Sequence, residues 1–360
     1  MLLIAVGVWL AQSGYAQTSI EELIEQTGVK AGNVAMRDHP GWREPQKIVL
    51  RNIGLPLERL QALLPDVEIV AVGTEAEALA HVSGADAVLG WCTDRLVAAG
   101  ERLTWVQIYG AGAERCMPIE RIADKSIVLS NMQKMSSPII AEHMVAMMMS
   151  LARGLPQYAR GMPEGQWLKG GAITQQMQTI AGKKLVVVGL GGIGTEIARR
   201  AAALGMRVSG TRRSSREGPA FVERVGLADE LMDLVADADY IINALPLTQD
   251  TNRLFDATFF AGTKPGVYFL SVGRGRSVVT EDLVSALESG QVGAAGLDVT
   301  EPEPLPSDHP LWQMDNVLIS PHVSAAGGSR DRHMVLLTEN LRRFAAGEAL
   351  LNVVDPDEGY

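Results

Sequence analysis

Short apolar runs alternate with stretches of helical spacing along most of this 360-residue chain. The runs at 47–51, 67–72, 85–90, 103–108 and 126–130 fit strands, and 57–64 and 75–81 carry the helical pattern between them. Strands alternating with helices imply a parallel sheet covered on both faces. A long helix is predicted over 138–153, with Ser136 or Ser137 as N-cap, proline in its first turn and Gly154 at its end. Its methionines, Met144, Met147, Met148 and Met149, read as packing residues, with a ligand surface as the alternative. A second strand series follows at 183–188, 206–210, 239–245, 266–272, 292–297 and 316–320, with a helix over 195–204 after its first member. The chain then returns to the first layer through a closing helix over 329–346. The predicted fold is α/β, with two doubly wound parallel-sheet domains, the larger inserted in the smaller. The boundaries expected are an N-terminal extension over 1–45, polar and mobile toward Pro45, the smaller domain over 46–130, the inserted domain over 131–320, and a segment over 321–350 that closes the smaller one.

Length supports two domains, since one core rarely serves so long a chain. A hydrophobic content of 47% with 21% charged residues is ordinary for a globular protein. The net charge of −10 argues against a nucleic-acid partner. The densest basic cluster is Arg212, Arg213 and Arg216. Cys92 and Cys116 lack a CxxC spacing, so thiols rather than a bridge are expected, and no metal site. Residues 2–10 are apolar and 14–16 read Gly-Tyr-Ala, a small-x-small site, so 1–16 resembles a secretory signal without its usual basic start. Export is set against a misassigned start or a plain apolar extension. Supply of reduced cofactor favours the cytoplasm, and no stable membrane insertion is expected, because the apolar run is too short to span a bilayer.

Residues 186–194 read VVVGLGGIG, placing Gly189, Gly191 and Gly194 between an apolar strand and a helix. In that context GxGxxG reads as a dinucleotide cradle, with Gly192 and Ile193 opening the helix whose amides hold the pyrophosphate, so the domain over 131–320 is expected to be a Rossmann dinucleotide-binding domain and the smaller one a flavodoxin-like substrate domain. The next strand ends in Thr211, Arg212, Arg213 and Ser214, with no carboxylate until Glu217. A carboxylate would repel a 2′-phosphate, whereas guanidiniums and hydroxyls grip one, so NADP(H) is preferred and NAD(H) is the alternative. A solvated basic turn is the plainer reading of the same residues.

Arg274 follows another predicted strand, where a guanidinium can hold a carboxylate and polarise a ketone; Arg276 competes for that role. Several motifs then fall in order: AGKK at 181–184, LPLT at 245–248, GRG at 273–275, GLDV at 296–299, EPLP at 303–306, PLW at 310–312 and SPH at 320–322. On these, residues 130–325 resemble the D-isomer-specific 2-hydroxyacid dehydrogenase family. The resemblance implies Arg274 as substrate anchor, His322 as acid/base and Glu303 as the carboxylate behind it, although Glu301 could substitute by spacing from His322 alone. It also implies that Leu245, Pro246 and Val272 line the cofactor, that Asp298 binds the nicotinamide carboxamide, and that Gly110, Ala111 and Gly112 offer amides to the substrate carboxylate. Tyr109 and Trp312 are further pocket candidates or core residues. Ketone reduction needs a proton as well as a hydride, and histidine titrates nearest the working pH.

The function expected is NADP-dependent reduction of small 2-oxo acids, glyoxylate and hydroxypyruvate first, to D-2-hydroxy acids, by a homodimer. The alternatives are oxidation of a bulkier D-2-hydroxy acid and a non-catalytic nucleotide-sensing protein resembling a corepressor.

Overall fold

Alternate residues of the central strands enter different cores, which is why those strands read as unbroken apolar runs rather than as an apolar/polar alternation. In the first sheet Ile48 and Leu50 pack on one side while Val49 packs on the other. In the second, Val186 and Val188 enter one cluster and Leu185 and Val187 another. The computed structural model describes residues 19–357 except Ser329, so the signal-like segment 1–16 lies outside the described residues.

The chain divides into two units, one of residues up to Ser136 together with those from Gly328 onward, the other Ser137–Gly327. The first holds a five-stranded sheet of β1 (Lys47–Arg51), β2 (Glu68–Val72), β3 (Ala87–Leu89), β4 (Trp105–Gln107) and β5 (Val128–Ser130), in the order β2-β1-β3-β4-β5. Every pairing is parallel, and the order is that of flavodoxin-like sheets. The second holds seven strands, β6 (Lys184–Val188), β7 (Arg207–Thr211), β8 (Arg224–Gly226), β9 (Tyr240–Asn243), β10 (Val267–Ser271), β11 (Val292–Leu297) and β12 (Val317–Ile319). Their order, β12-β11-β10-β9-β6-β7-β8, reverses direction between β6 and β9, the switch point where doubly wound sheets bind dinucleotides. The predicted α/β class with two parallel sheets is the observed one. The long helix is Ser137–Ala152, ending before Gly154 in the left-handed region at φ 62°, and its Met144, Met147 and Met148 pack with Leu185 and Val187.

Two expectations are corrected. The stretch before Pro45 is not a mobile extension over its described part. The helix Ile20–Thr27 is capped by the Ser19 hydroxyl, which accepts from the Glu22 amide at 3.1 Å, and it ends on left-handed Gly28. Ile20, Leu23, Val29 and Met36 are buried in the same cluster as Trp105 and Phe344, each such burial contributing about 1.5–3 kcal/mol. Ala31 bridges Leu351, which ties this segment to the stretch after the helix Arg330–Ala345. Second, Cys92 and Cys116 form a disulfide, with Cα atoms 5.7 Å apart. Neighbouring parallel strands β3 and β4 deliver their following loops to one sheet edge, so residues far apart in sequence meet without any CxxC spacing. Among the described residues no helix is long and apolar enough to cross a membrane, and no group of three or more potential ligands could hold a metal.

Candidate active site

The glycine turn, residues 211–214, Leu245, Pro246, Val272, Arg274, Asp298 and His322 lie at or just beyond the carboxyl ends of parallel strands, and Glu303 sits on the loop after β11, so one edge of the sheet collects them, whereas Trp312 lies ahead of β12. The glycine turn leaves β6. Gly189 takes φ 98°, which an L side chain rarely adopts. A Cβ on Gly194 would lie 1.9 Å from the Gly189 carbonyl oxygen, whereas one on Gly191 would meet nothing within 4 Å. The first and third glycines are thus demanded by the protein's own backbone, while the second leaves open space at the head of the helix Gly192–Ala203. Gly192 and Ile193 form its first turn, where unpaired amides favour an anion.

Thr211 does not face outward with the arginines. Its hydroxyl accepts the Gly189 amide at 3.0 Å and its residue is 5% exposed, so it braces the glycine turn. Arg212 Nε is buried with no hydrogen-bond partner among the described residues, while Arg213 and Ser214 are exposed. Arg216 is engaged by Glu230 at 3.0 Å. An orphaned N–H on Arg212 and the open approach at Gly191 each suit a group with spare acceptor oxygens, so the residues present fit a dinucleotide phosphate.

A buried polar set that the sequence reading missed holds the next two loops. Asn243 Nδ2 donates to Ser271 Oγ at 3.1 Å and to Ser277 Oγ at 2.8 Å, and Asn243 Oδ1 accepts the Leu245 amide at 3.0 Å. This fixes Leu245 and Pro246 after β9. Ser277 Oγ donates to the Arg274 carbonyl at 2.6 Å, fixing the loop after β10. Arg274 is half-buried, its Nη1 donating to the Gly273 carbonyl at 2.8 Å, whereas Arg276 is exposed. Glycine on both sides of Arg274 follows from crowding: a Cβ on Gly275 would sit 1.8 Å from the Thr300 carbonyl oxygen, and one on Gly273 2.6 Å from that of Leu245. Val272 is buried among the apolar residues beneath.

His322 and Glu303 meet. His322 Nδ1 lies 2.7 Å from Glu303 Oε1, with both side chains about half exposed. Glu301 is exposed, and its carbonyl accepts from Thr280 Oγ1. A carboxylate can only accept, so Nδ1 carries the proton and Nε2 is left for a reacting partner. His322 takes φ 53°, a left-handed conformation that costs about 1–2 kcal/mol for a side chain of this kind. Its amide bonds the Asp298 carbonyl at 2.8 Å, and the Asp298 carboxylate accepts the amides of Val323 at 3.0 Å and Ser324 at 3.1 Å and the Ser320 hydroxyl at 2.6 Å. Asp298 is 1% exposed. Most of its acceptor capacity is therefore spent on the loop that carries His322.

In the first unit the loop Gly110, Ala111, Gly112 follows β4. The Gly110 carbonyl accepts the Met132 amide at 2.9 Å and that of Ala111 accepts from Asn131 Nδ2 at 2.8 Å. Among the described residues none of the three loop amides donates a hydrogen bond. Tyr109 Oη donates to the Arg51 carbonyl at 3.3 Å, and burial pushes that phenol above its usual range, only partly offset by the Arg51 charge. Trp312 is partly exposed, its indole N–H on the Pro306 carbonyl at 2.8 Å.

A sequence profile of the D-isomer specific 2-hydroxyacid dehydrogenase NAD binding domain matches residues 145–324. The glyoxylate reductase/hydroxypyruvate reductase of Mus musculus is 33% identical over 279 residues, covering 75% of this chain and 84% of its own. A D-isomer specific 2-hydroxyacid dehydrogenase of Xanthobacter autotrophicus Py2, solved with NADPH and MES, superposes with a TM-score of 0.74 at 28% identity, over 88% of this chain and 100% of that one. An NADPH-dependent glyoxylate/hydroxypyruvate reductase of Sinorhizobium meliloti, solved with NADP and sulfate, gives 0.74 at 27% identity over the same shares. With two parallel sheets, a glycine cradle at the switch point and these similarities, the chain belongs to the D-isomer-specific 2-hydroxyacid dehydrogenase family of NAD(P)-dependent oxidoreductases.

Proposed function

We propose that the protein reduces small 2-oxo acids of the glyoxylate and hydroxypyruvate class to D-2-hydroxy acids, using NADPH. The observation that carries this reading is the 2.7 Å contact between His322 and Glu303 on the sheet edge that also bears the glycine turn and Arg274. When bound, the cofactor supplies the hydride. Arg274 holds the substrate carboxylate and stabilises the charge that develops on the ketone oxygen. His322 delivers the proton from Nε2, and Glu303, on the far nitrogen, fixes the ring. The relatives named as glyoxylate and hydroxypyruvate reductases support the substrate class.

The preference for NADPH rests on Arg212 and Arg213 where a ribose-binding carboxylate would stand. NADPH and NADP in the two solved relatives support it. The protein works as a homodimer joined through the nucleotide domain, where Trp167, 90% exposed, and Met162, 74% exposed, offer apolar surface to a second copy.

Two substitutions test the chemistry. His322→Ala removes about a hundredfold or more of turnover while leaving NADPH affinity unchanged. Arg274→Ala chiefly raises KM for the 2-oxo acid. Unchanged turnover in the first, or an effect of the second confined to the cofactor, contradicts the assignment.

A further inference from the structure

Behind the reacting pair lies a chain of hydrogen bonds that the proposed chemistry does not use. His143, on the helix Ser137–Ala152, places Nε2 2.8 Å from Ser320 Oγ, and Ser320 Oγ in turn donates to Asp298 Oδ1 at 2.6 Å. A serine hydroxyl has one proton, and here it goes to the carboxylate. His143 Nε2 must therefore be the donor in the other bond, which sets the tautomer of that ring. His143 Nε2 is also 3.8 Å from Asp298 Oδ1. Asp298 bonds the amides of Val323 and Ser324, and its carbonyl accepts the amide of His322. The strained His322 is thus clamped from both chain directions by one buried residue, with Ser320 two positions before it and Val323 directly after. The outer end of that clamp is an imidazole on a different element.

We infer that His143, acting through Ser320 and Asp298, is a positioning residue for His322: it keeps the Ser320–Asp298 bond in one geometry and so aims His322 Nε2. This rests on His322 being the proton donor. The same arrangement makes Asp298 a clamp for the loop first and a partner for a carboxamide second, since three protein donors already occupy its oxygens.

The test is a double-mutant cycle on the full chain with NADPH and glyoxylate as probe. His143→Phe, which keeps bulk but removes the donor, lowers kcat by about ten- to a hundredfold, the scale of a misplaced catalytic group, with KM for NADPH unchanged. His143→Gln, which retains an N–H at similar reach, recovers most of the loss. In a His322→Ala background, His143→Phe costs nothing further, because a residue acting only through His322 has nothing left to position. Equal losses in both backgrounds, or a loss confined to NADPH binding, overturn the inference. A readout independent of substrate keeps its failure separate from that of the proposed reaction. In NMR spectra of ring-labelled histidine, the His322 signal is single and sharp in the wild type and in His143→Gln, and broadened or doubled in His143→Phe. An unaltered sharp His322 signal in a folded His143→Phe protein would overturn it whatever the substrate proves to be.

Discussion

Replacing Gly191 by alanine separates the cofactor cradle from the fold. Gly191 has φ −79°, which alanine adopts freely, and its added Cβ meets nothing within 4 Å. The substitution removes backbone freedom from the unfolded chain alone, a gain of about 0.4–1 kcal/mol. For domains of this size that raises the melting temperature by roughly 1–4 °C. The same methyl group occupies the space where a pyrophosphate backbone must approach the turn. Forced overpacking costs about 1–3 kcal/mol, which weakens NADPH roughly 5- to 150-fold. Stability and affinity therefore move in opposite directions. Gly194→Ala behaves otherwise: its Cβ would lie 1.9 Å from a backbone oxygen that cannot step aside, so the melting temperature falls as well as the affinity. Differential scanning calorimetry of the ligand-free proteins and fluorescence titration with NADPH measure both quantities. A Gly191→Ala protein that binds NADPH as the wild type does, or that melts several degrees lower, would refute the placement of the pyrophosphate at this turn.

Further outcomes follow from the same geometry. Gly275→Ala drives a Cβ against the Thr300 carbonyl, which shifts Arg274 and lowers kcat/KM for 2-oxo acids about a hundredfold with a smaller effect on NADPH affinity; wild-type steady-state kinetics would contradict it. Arg212→Asp reverses the preference of NADPH over NADH, as read by parallel kcat/KM values; an unchanged ratio removes the basis for that preference. Trp167→Glu shifts the protein from dimer to monomer in sedimentation velocity, and an unaltered dimer places the interface elsewhere. The hydrogen bond from the Arg342 guanidinium holds the Glu348 carboxyl below its usual range of 4.5, against a smaller opposing effect of burial. A depressed folded-state value contributes stability that is present at neutral pH and lost as the pH falls through it. The melting gap between wild type and Glu348→Gln, on the order of 1 kcal/mol or less for so exposed a pair, is therefore open at pH values near neutrality and closes in acid. A gap that persists unchanged in acid rules this out.

The sequence made the central strands legible because parallel strands buried on both faces leave long apolar runs, and β1, β6 and β10 stand out for that reason. β8 was missed: Arg224–Gly226 is three residues at the sheet edge, with no apolar run to betray it. The helix Ile20–Thr27 carried its signals in plain view, a Ser19 cap, apolar residues at 20, 23 and 24, and Gly28 after its end. Its three glutamates and one glutamine hid them, since a helix docked by one narrow face keeps polar residues elsewhere. In the site, the family resemblance pointed to His322 and Glu303, and the fold brings them into contact. The bond from the Gly189 amide to Thr211 was not legible, because a residue's direction at a strand end depends on which backbone amide needs an acceptor. Asn243, Ser271, Ser277 and His143 left no signal, and Ser320 stood out only as the first letter of SPH, with no role of its own. Each is a single polar residue whose meaning depends on partners from other strands, and pairing across a sheet cannot be read from one strand.

The most direct measurement follows reduced-nicotinamide absorbance as purified protein meets a panel of 2-oxo acids, with NADPH and NADH in parallel and the product hydroxy acid resolved by chirality. Rapid NADPH oxidation with glyoxylate and hydroxypyruvate, slower oxidation of NADH and a D-configured product from hydroxypyruvate are expected. Tight NADPH binding without turnover on any 2-oxo acid would contradict the proposed reaction.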